Sequence, residues 1–274
     1  MRGEIETAER PLTRHTPLLA EHEPPPCCIV NAASRTPLVL TCDHASHAVP
    51  ESLGNLGLDS RDIERHIGWD IGAAEVTRRL SERFDAPAVF SGYSRLVIDC
   101  NRKPGSETSI LEVSDGTVIP GNLGLDPTEA ARRAEALFTP YHQAIASVLE
   151  RIRRAGSAPI FAAIHSFTPK LNGCARPWHF GVLWDQDPRV ARPLIEALRA
   201  NPGILVGDNK PYSARDHFDF SQEFHASSVG VPSALIEIRE DLIRDRAGIE
   251  LYADMLGDAL AGVVGNLCSR PGVS

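Results

Sequence analysis

The sequence predicts an α/β protein: one domain built on a central, mostly parallel (mixed) sheet flanked by helices. Three observations predict it. Short apolar runs that read as strands alternate with longer runs of helical period, the pattern of strands joined by crossover helices. Runs such as TPLVLTC at 36–42 and APIFAAI at 158–164 are apolar at consecutive positions, as strands covered on both faces must be. No low-complexity linker interrupts the chain after residue 36, so the 274 residues read as one large unit rather than two.

Residues 1–35 are polar and Pro-bearing, with PPP at 24–26, and are expected to form an arm that lies on the surface or is disordered; the domain is expected to span 36–274. TPLVLTC is its first strand. A helix follows over 71–83, where Ile71, Ala74, Val76 and Leu80 recur near helical spacing. APAVFSG (86–92) and SRLVIDC (94–100) give two more strand candidates, and 103–124, rich in Gly, Ser, Asp and Pro, reads as a long lid or binding loop in which Ser106, Ser114 and Thr117 can meet a polar substrate. Asp126-Pro127-Thr128-Glu129 starts a helix: Asp caps free N–H groups, Pro suits the first position and Glu129 sits where a capping box places it. The helical pattern runs to Arg154 and buries Leu137, Phe138, Tyr141, Ile145, Val148 and Ile152, with a kink or break expected at Pro140. APIFAAI and HFGVLWD (179–185) are strands, ARPLIEALRAN (191–201) a helix, PSALIEIRE (232–240) a strand, and 247–264 the last helix.

Composition excludes some classes. The net charge of −8 speaks against a nucleic-acid partner, whose phosphates call for clustered Lys and Arg. No apolar run approaches the ~20 residues of a membrane span, and MRGEIETAERPLTRH lacks the apolar centre of a signal peptide, so a cytoplasmic protein is expected. Of six cysteines only Cys27 and Cys28 are close, which is neither a zinc knuckle nor a disulfide framework. There is no G-x-S-x-G elbow and no G-x-G-x-x-G after a strand.

In open α/β sheets ligands bind beyond the carboxyl ends of the strands. Here those ends carry Asp43, His44, Ser46 and His47 after the first strand, Asn101 and Arg102 after SRLVIDC, and His165 and Ser166 after APIFAAI. Glu237 and Arg239 share a face of PSALIEIRE by the two-residue period. Imidazoles and a carboxylate make a zinc site, a catalytic zinc brings the pKa of a water near ~7, and a carboxylate off the metal serves as general base. Asp43 can orient His44 or simply form a turn; His142 reads as a core residue; Trp178 and His179 can line the pocket or only pack.

The stretches CDHASHAVP, HIGWDIGA, SRLVIDCNR, SDGTVIPGN, IHSFTP, NKPYS and ALIEIRED resemble the N-formylglutamate amidohydrolase family, over roughly residues 37–262. That family is similar to zinc carboxypeptidases and aspartoacylases, which implies a zinc-carboxypeptidase-like fold and hydrolysis of a small N-acyl amino acid such as N-formylglutamate. The resemblance implies His44 and His165 as metal ligands, Glu237 as the base, and Asn101 with Arg102 as the pair that holds the substrate carboxylate, Arg95 adding a second cation. Where carboxypeptidases place their acidic ligand, three residues after the first histidine, this chain has His47. Asp70 in HIGWDIGA is therefore preferred as third ligand, with His47 the alternative. Arg176 is an anion-binding candidate, and the resemblance turns His225 toward the site. Zinc is the expected metal, although iron and manganese suit the same ligands, and the oligomeric state stays open. The rival from another class is a non-catalytic metabolite-binding module, in which Glu237 would serve no purpose.

Overall fold

The computed structural model describes residues 17–269 apart from 172, 217 and 218. The strands are β1 (Cys27–Val30), β2 (Leu38–Cys42), β3 (Ala88–Ser91), β4 (Val113–Ser114), β5 (Thr117–Val118), β6 (Ile160–Phe167), β7 (Lys170–Leu171), β8 (Cys174–Ala175), β9 (Phe180–Leu183), β10 (Val206–Asp208) and β11 (Ser233–Arg239). The helices are α1 (Ser60–Ile63), α2 (Ala73–Phe84), α3 (Pro127–Arg133), α4 (Thr139–Arg154), α5 (Pro188–Arg199), α6 (Phe220–His225) and α7 (Arg246–Cys268).

Seven strands form one mixed sheet in the order β1-β3-β2-β6-β11-β9-β10. The run β3-β2-β6-β11 is parallel, and β9-β10 is a parallel pair set antiparallel to β11. The sheet is buried because both faces are covered, and the two-residue period sorts its side chains between them. Leu38, Leu40, Cys42, Ile164 and Ile236 pack with Val76 and Leu80 of α2, Leu194 and Leu198 of α5, and Leu256 and Leu260 of α7. Val39, Phe161, Ala163 and Leu235 point the other way, onto Tyr141, Ile145, Val148 and Ile152 of α4. Among the described residues no helix is long and apolar enough to cross a membrane, and none of the six cysteines is paired.

Three expectations need correction. The segment read as an arm supplies an edge strand: Cys27–Val30 pairs antiparallel with β3, and part of the arm, before residue 17, lies outside the described residues. SRLVIDC is not a strand. Its Leu96, Val97 and Ile98 are buried, but in a third cluster with Leu18, Leu56 and Leu137, and its amides bond to turn and loop carbonyls, Val97 N to Ser94 O, Asp99 N to Ser109 O and Arg95 N to Gly68 O. Near Pro140 the helical run changes character: a single π turn, Ala134–Phe138, joins α3 to α4, with Thr139 N donating to Ala134 O. The widened turn absorbs a proline that cannot donate. Asp126 caps α3 through Thr128 N, but Glu129 pairs with Arg132 and Arg133 instead of closing a capping box.

Candidate metal centre and its cavity

The site grows out of the parallel core at the strands' carboxyl ends. Register and the two-residue period put three of its residues in one row. Glu237 of β11 is the direct neighbour of His165 on β6. On the other side Thr41 pairs with Ala163, so two residues further along Asp43 falls beside His165. All three project from the face that α4 covers lower down.

His44, Asp70 and His165 are all buried, and one ligand atom from each lies within 4.8 Å of the others. Both histidines turn Nδ1 to the same oxygen: Asp70 Oδ2 accepts from His44 at 3.2 Å and from His165 at 2.8 Å. Their Nε2 atoms are held by two further carboxylates, His44 by Asp99 at 2.7 Å and His165 by Asp43 at 2.8 Å. Asp43 in turn accepts from Tyr141 Oη at 2.8 Å and from Ser221 Oγ at 2.5 Å. Asp43 therefore orients His165, not His44; the residue that orients His44 is Asp99, which the sequence reading missed.

These residues fit a divalent cation. A carboxylate behind each ring fixes the tautomer and orientation of a ligating histidine and makes it more basic. Burial and the Arg95 charge oppose protonation of His44, yet Asp99 and Asp70 outweigh them and its pKa rises. At His165 burial also opposes protonation, but the bonds to Asp43 and Asp70 raise the pKa well above the ordinary value. Against the cost of burial, the bond and charge of His165 hold Asp43 down at about 2, and the two histidines lower Asp70. Both Nδ1 atoms thus converge on one spot, surrounded by three carboxylates and Arg95. A divalent ion there would take the place of protons on the ring nitrogens, as binding to histidine ligands does.

The cavity above this cluster, about 130 Å³, is lined by His44, Asp70, Arg95, Asn101, Arg102, His165, Ser166, Tyr212, Ser213, Asp219 and Glu237. Glu237 is 6% exposed and its Oε2 has no partner. Burial pushes its pKa up to about 7, helped by the Asp70 and Asp219 charges and opposed by His165. Gly181, opposite Glu237 on β9, makes this geometry possible: a Cβ there would stand 2.1 Å from Lys210 O, so only glycine lets the segment carrying Tyr212 and Ser213 pass over the strand.

The remaining expected residues distribute unevenly. Arg102 lines the cavity, with NH1 on Asn101 O at 2.8 Å and Asp219 at 4.0 Å. Arg95 lines it too, but its guanidinium already bonds Asp99 at 2.6 Å and Asp70 at 3.5 Å. Asn101 has its side chain in α6, accepting from Ser221 N at 2.9 Å and donating to Asp219 at 3.1 Å, so it braces that helix. His47 is exposed, packs on Trp69 with ring centroids 4.9 Å apart, and stands outside the ligand cluster. Arg176 reaches the cavity only through Tyr212, whose hydroxyl it bonds at 2.9 Å.

His225 does not line the cavity. Its Nε2 pairs with His142 Nδ1 at 2.9 Å while His142 Nε2 donates to Cys100 O at 2.8 Å. Burial and the neighbouring imidazole lower His225 to about 4, so both rings are neutral and structural. His179 accepts from Leu205 N instead of facing the site. Nor do Ser106, Ser114 and Thr117 line it; the loop folds into the β4–β5 hairpin, and Thr117 Oγ1 accepts from Arg65. Besides Asp99, sequence reading missed Asp219 and assigned no role to Tyr212, although NKPYS flagged its segment.

Fold and site thus define an α/β protein with a possible His-Asp-His metal centre beside a buried carboxylate. The family model for N-formylglutamate amidohydrolase matches residues 36–244. The chain belongs to the N-formylglutamate amidohydrolase family, whose members are hydrolases of amides. Among solved structures, a gene product from Agrobacterium tumefaciens is 34% identical, with a TM-score of 0.88 over 91% of this chain and 99% of its own. An N-formylglutamate amidohydrolase from Ralstonia eutropha JMP134 shares the fold at 16% identity, with a TM-score of 0.57 over 88% of this chain and 97% of its own. No curated protein matches the chain.

Proposed function

We propose that this protein hydrolyses the amide bond of a small N-acyl amino acid, N-formylglutamate first among them, using one divalent metal ion held by His44, Asp70 and His165. The observation that carries the reading is the pairing of two buried Nδ1 atoms on one Asp70 oxygen with a buried carboxylate, its Oε2 without a partner, in the same cavity. The family and the Ralstonia eutropha relative support the substrate class. Zinc is the expected ion; when bound it supplies a Lewis acid that polarises the scissile carbonyl and acidifies a water.

The chain's own residues do the rest. A carboxylate with a pKa of about 7 is poised to take a proton and give it back near neutrality. Glu237 accepts the proton of the attacking water and delivers it to the amine nitrogen that leaves. Arg102, which lines the same cavity, fits the amino acid's carboxylate with its planar fork of donors. A cavity of about 130 Å³ is smaller than the ~300 Å³ at which drug-sized ligands are accommodated, which favours a metabolite over a peptide. Unpaired cysteines accord with action in the cytoplasm.

The test is metal content of the purified protein followed by a panel of N-formyl and N-acetyl amino acids with and without chelator. About one equivalent of metal, as a single site requires, and chelator-sensitive release of formate from N-formylglutamate support the reading. Bound metal with no turnover on any member removes the substrate and keeps the site. Metal-free protein that hydrolyses the panel removes the metal's role.

A further inference from the structure

The resemblance makes Arg95 a cation for the substrate, but the geometry points to a different task. We propose that Arg95 is a positioning residue of the metal centre, tying together the two carboxylates that hold the two ring nitrogens of His44. This rests on the reading above that His44 is a metal ligand.

Four side chains close a ring. Arg95 NH2 donates to Asp99 Oδ2 at 2.6 Å, and Asp99 Oδ1 accepts from His44 Nε2 at 2.7 Å. His44 Nδ1 meets Asp70 Oδ2 at 3.2 Å, and Asp70 Oδ1 lies 3.5 Å from Arg95 NH1. Each carboxylate thus spends one oxygen on the histidine and the other on the arginine. His44, Asp70 and Asp99 are nearly inaccessible, and the Arg95 side chain is only 23% exposed.

The backbone is laid out for the same purpose. Arg95 lies in a turn closed by Val97 N to Ser94 O, and Asp99 follows it by four residues, so their side chains meet without a helix. Arg95 N and Ser94 Oγ both donate to Gly68 O, two residues before Asp70, which stitches the turn carrying Arg95 to the loop carrying the third ligand. Arg102 lines the same cavity and approaches Asp219 at 4.0 Å.

Arg95→Gln and Arg95→Lys test this, with zinc affinity read by competition against a chromogenic chelator and KM and kcat read separately at saturating zinc. Removing a residue that orients a metal ligand typically weakens metal binding ~10–100-fold. Arg95→Gln is expected to do that while KM at saturating zinc stays within about threefold, the signature of a group that does not bind substrate. Arg95→Lys keeps the charge without the fork and is expected to restore part of the affinity, which a loss of general packing would not predict. If Arg95→Gln does not fold, as circular dichroism would show, Arg95→Lys carries both readouts, with a smaller loss of zinc affinity and the same unmoved KM. A KM raised tenfold or more with zinc affinity unchanged makes Arg95 a substrate cation and overturns the proposal. Zinc affinity equal to wild type in both variants overturns it as well. A wild type that binds no zinc overturns this proposal together with the function proposed above, whereas a zinc-binding wild type and an equally tight Arg95→Gln overturn this one alone.

Discussion

Glu237→Gln separates chemistry, metal binding and folding in one substitution. The side chain keeps its shape and loses its charge and its basicity. In the metal-free protein Glu237 titrates at about 7 instead of 4.5 because it is buried. At ~1.4 kcal/mol per pKa unit, holding it ionised in the fold costs on the order of 3 kcal/mol. The sign is fixed by the direction. A carboxyl whose folded pKa is raised contributes its full stability below 4.5, where both states are protonated alike, and loses it as pH climbs through about 7. Glutamine has no such loss. Metal-free Glu237→Gln is therefore expected to melt above wild type at about pH 8.5, by several degrees at ~2–4 °C per kcal/mol for a chain of this size, with the gap closing by about pH 5. In the metal-loaded enzyme the same substitution is expected to lower kcat ~10²–10⁴-fold, the usual contribution of a general base, which is about 3–5 kcal/mol of barrier. Zinc affinity should change little, since Glu237 lies outside the ligand triad. Melting scans with chelator across pH, zinc titration and steady-state kinetics give the three readings. A kcat within tenfold of wild type would refute the base, and a melting gap that does not widen with pH would refute the burial argument.

Metal uptake is expected to strengthen as pH rises and to release up to two protons, because His44 and His165 have raised pKa values and shed Nδ1 protons to the ion; calorimetry in buffers of different ionisation enthalpy counts them. Arg102→Ala should raise KM ~10–100-fold, as losing a charge-assisted bond of ~1.5–3 kcal/mol predicts, with metal content unchanged. Arg133→Ala should destabilise the fold by ~3–5 kcal/mol, measured by denaturant unfolding, since it strands buried partners: Arg133 NH1 bonds Val97 O and Asn122 Oδ1, NH2 bonds Gly121 O, and Nε pairs with Glu129.

The strands that could be read from sequence are those covered on both faces. TPLVLTC, APIFAAI and PSALIEIRE are mainly apolar because α4 packs on one side and α2, α5 and α7 on the other. SRLVIDC has the same composition for a different reason. Its side chains enter the third cluster while its amides bond to turn and loop carbonyls, and composition records burial but not where backbone hydrogen bonds go. The short CCIV strand was hidden for the opposite reason: it is a half-exposed edge after a proline run, paired only through β3.

The same distinction explains which site residues were legible. His44, His165 and Glu237 could be read because each lies at or near the carboxyl end of an apolar strand, and a polar ligand-type residue stands out there. Their carboxylate partners could not, because partnership is set across strands and not along them. Asp43 precedes His44, and neighbours on a strand face opposite ways; it is the parallel register with β6 that delivers Asp43 to His165. His44 is then left to a carboxylate from the turn after β3, and Asp99 reaches it only because 94–100 is not a strand. A strand there would have sent Arg95 and Asp99 along one face some 13 Å apart at ~3.3 Å per residue, too far for the guanidinium to hold both carboxylates. The misread element and the missed residue are one error, and the turn that corrects it is what lets a single arginine close the ring around His44.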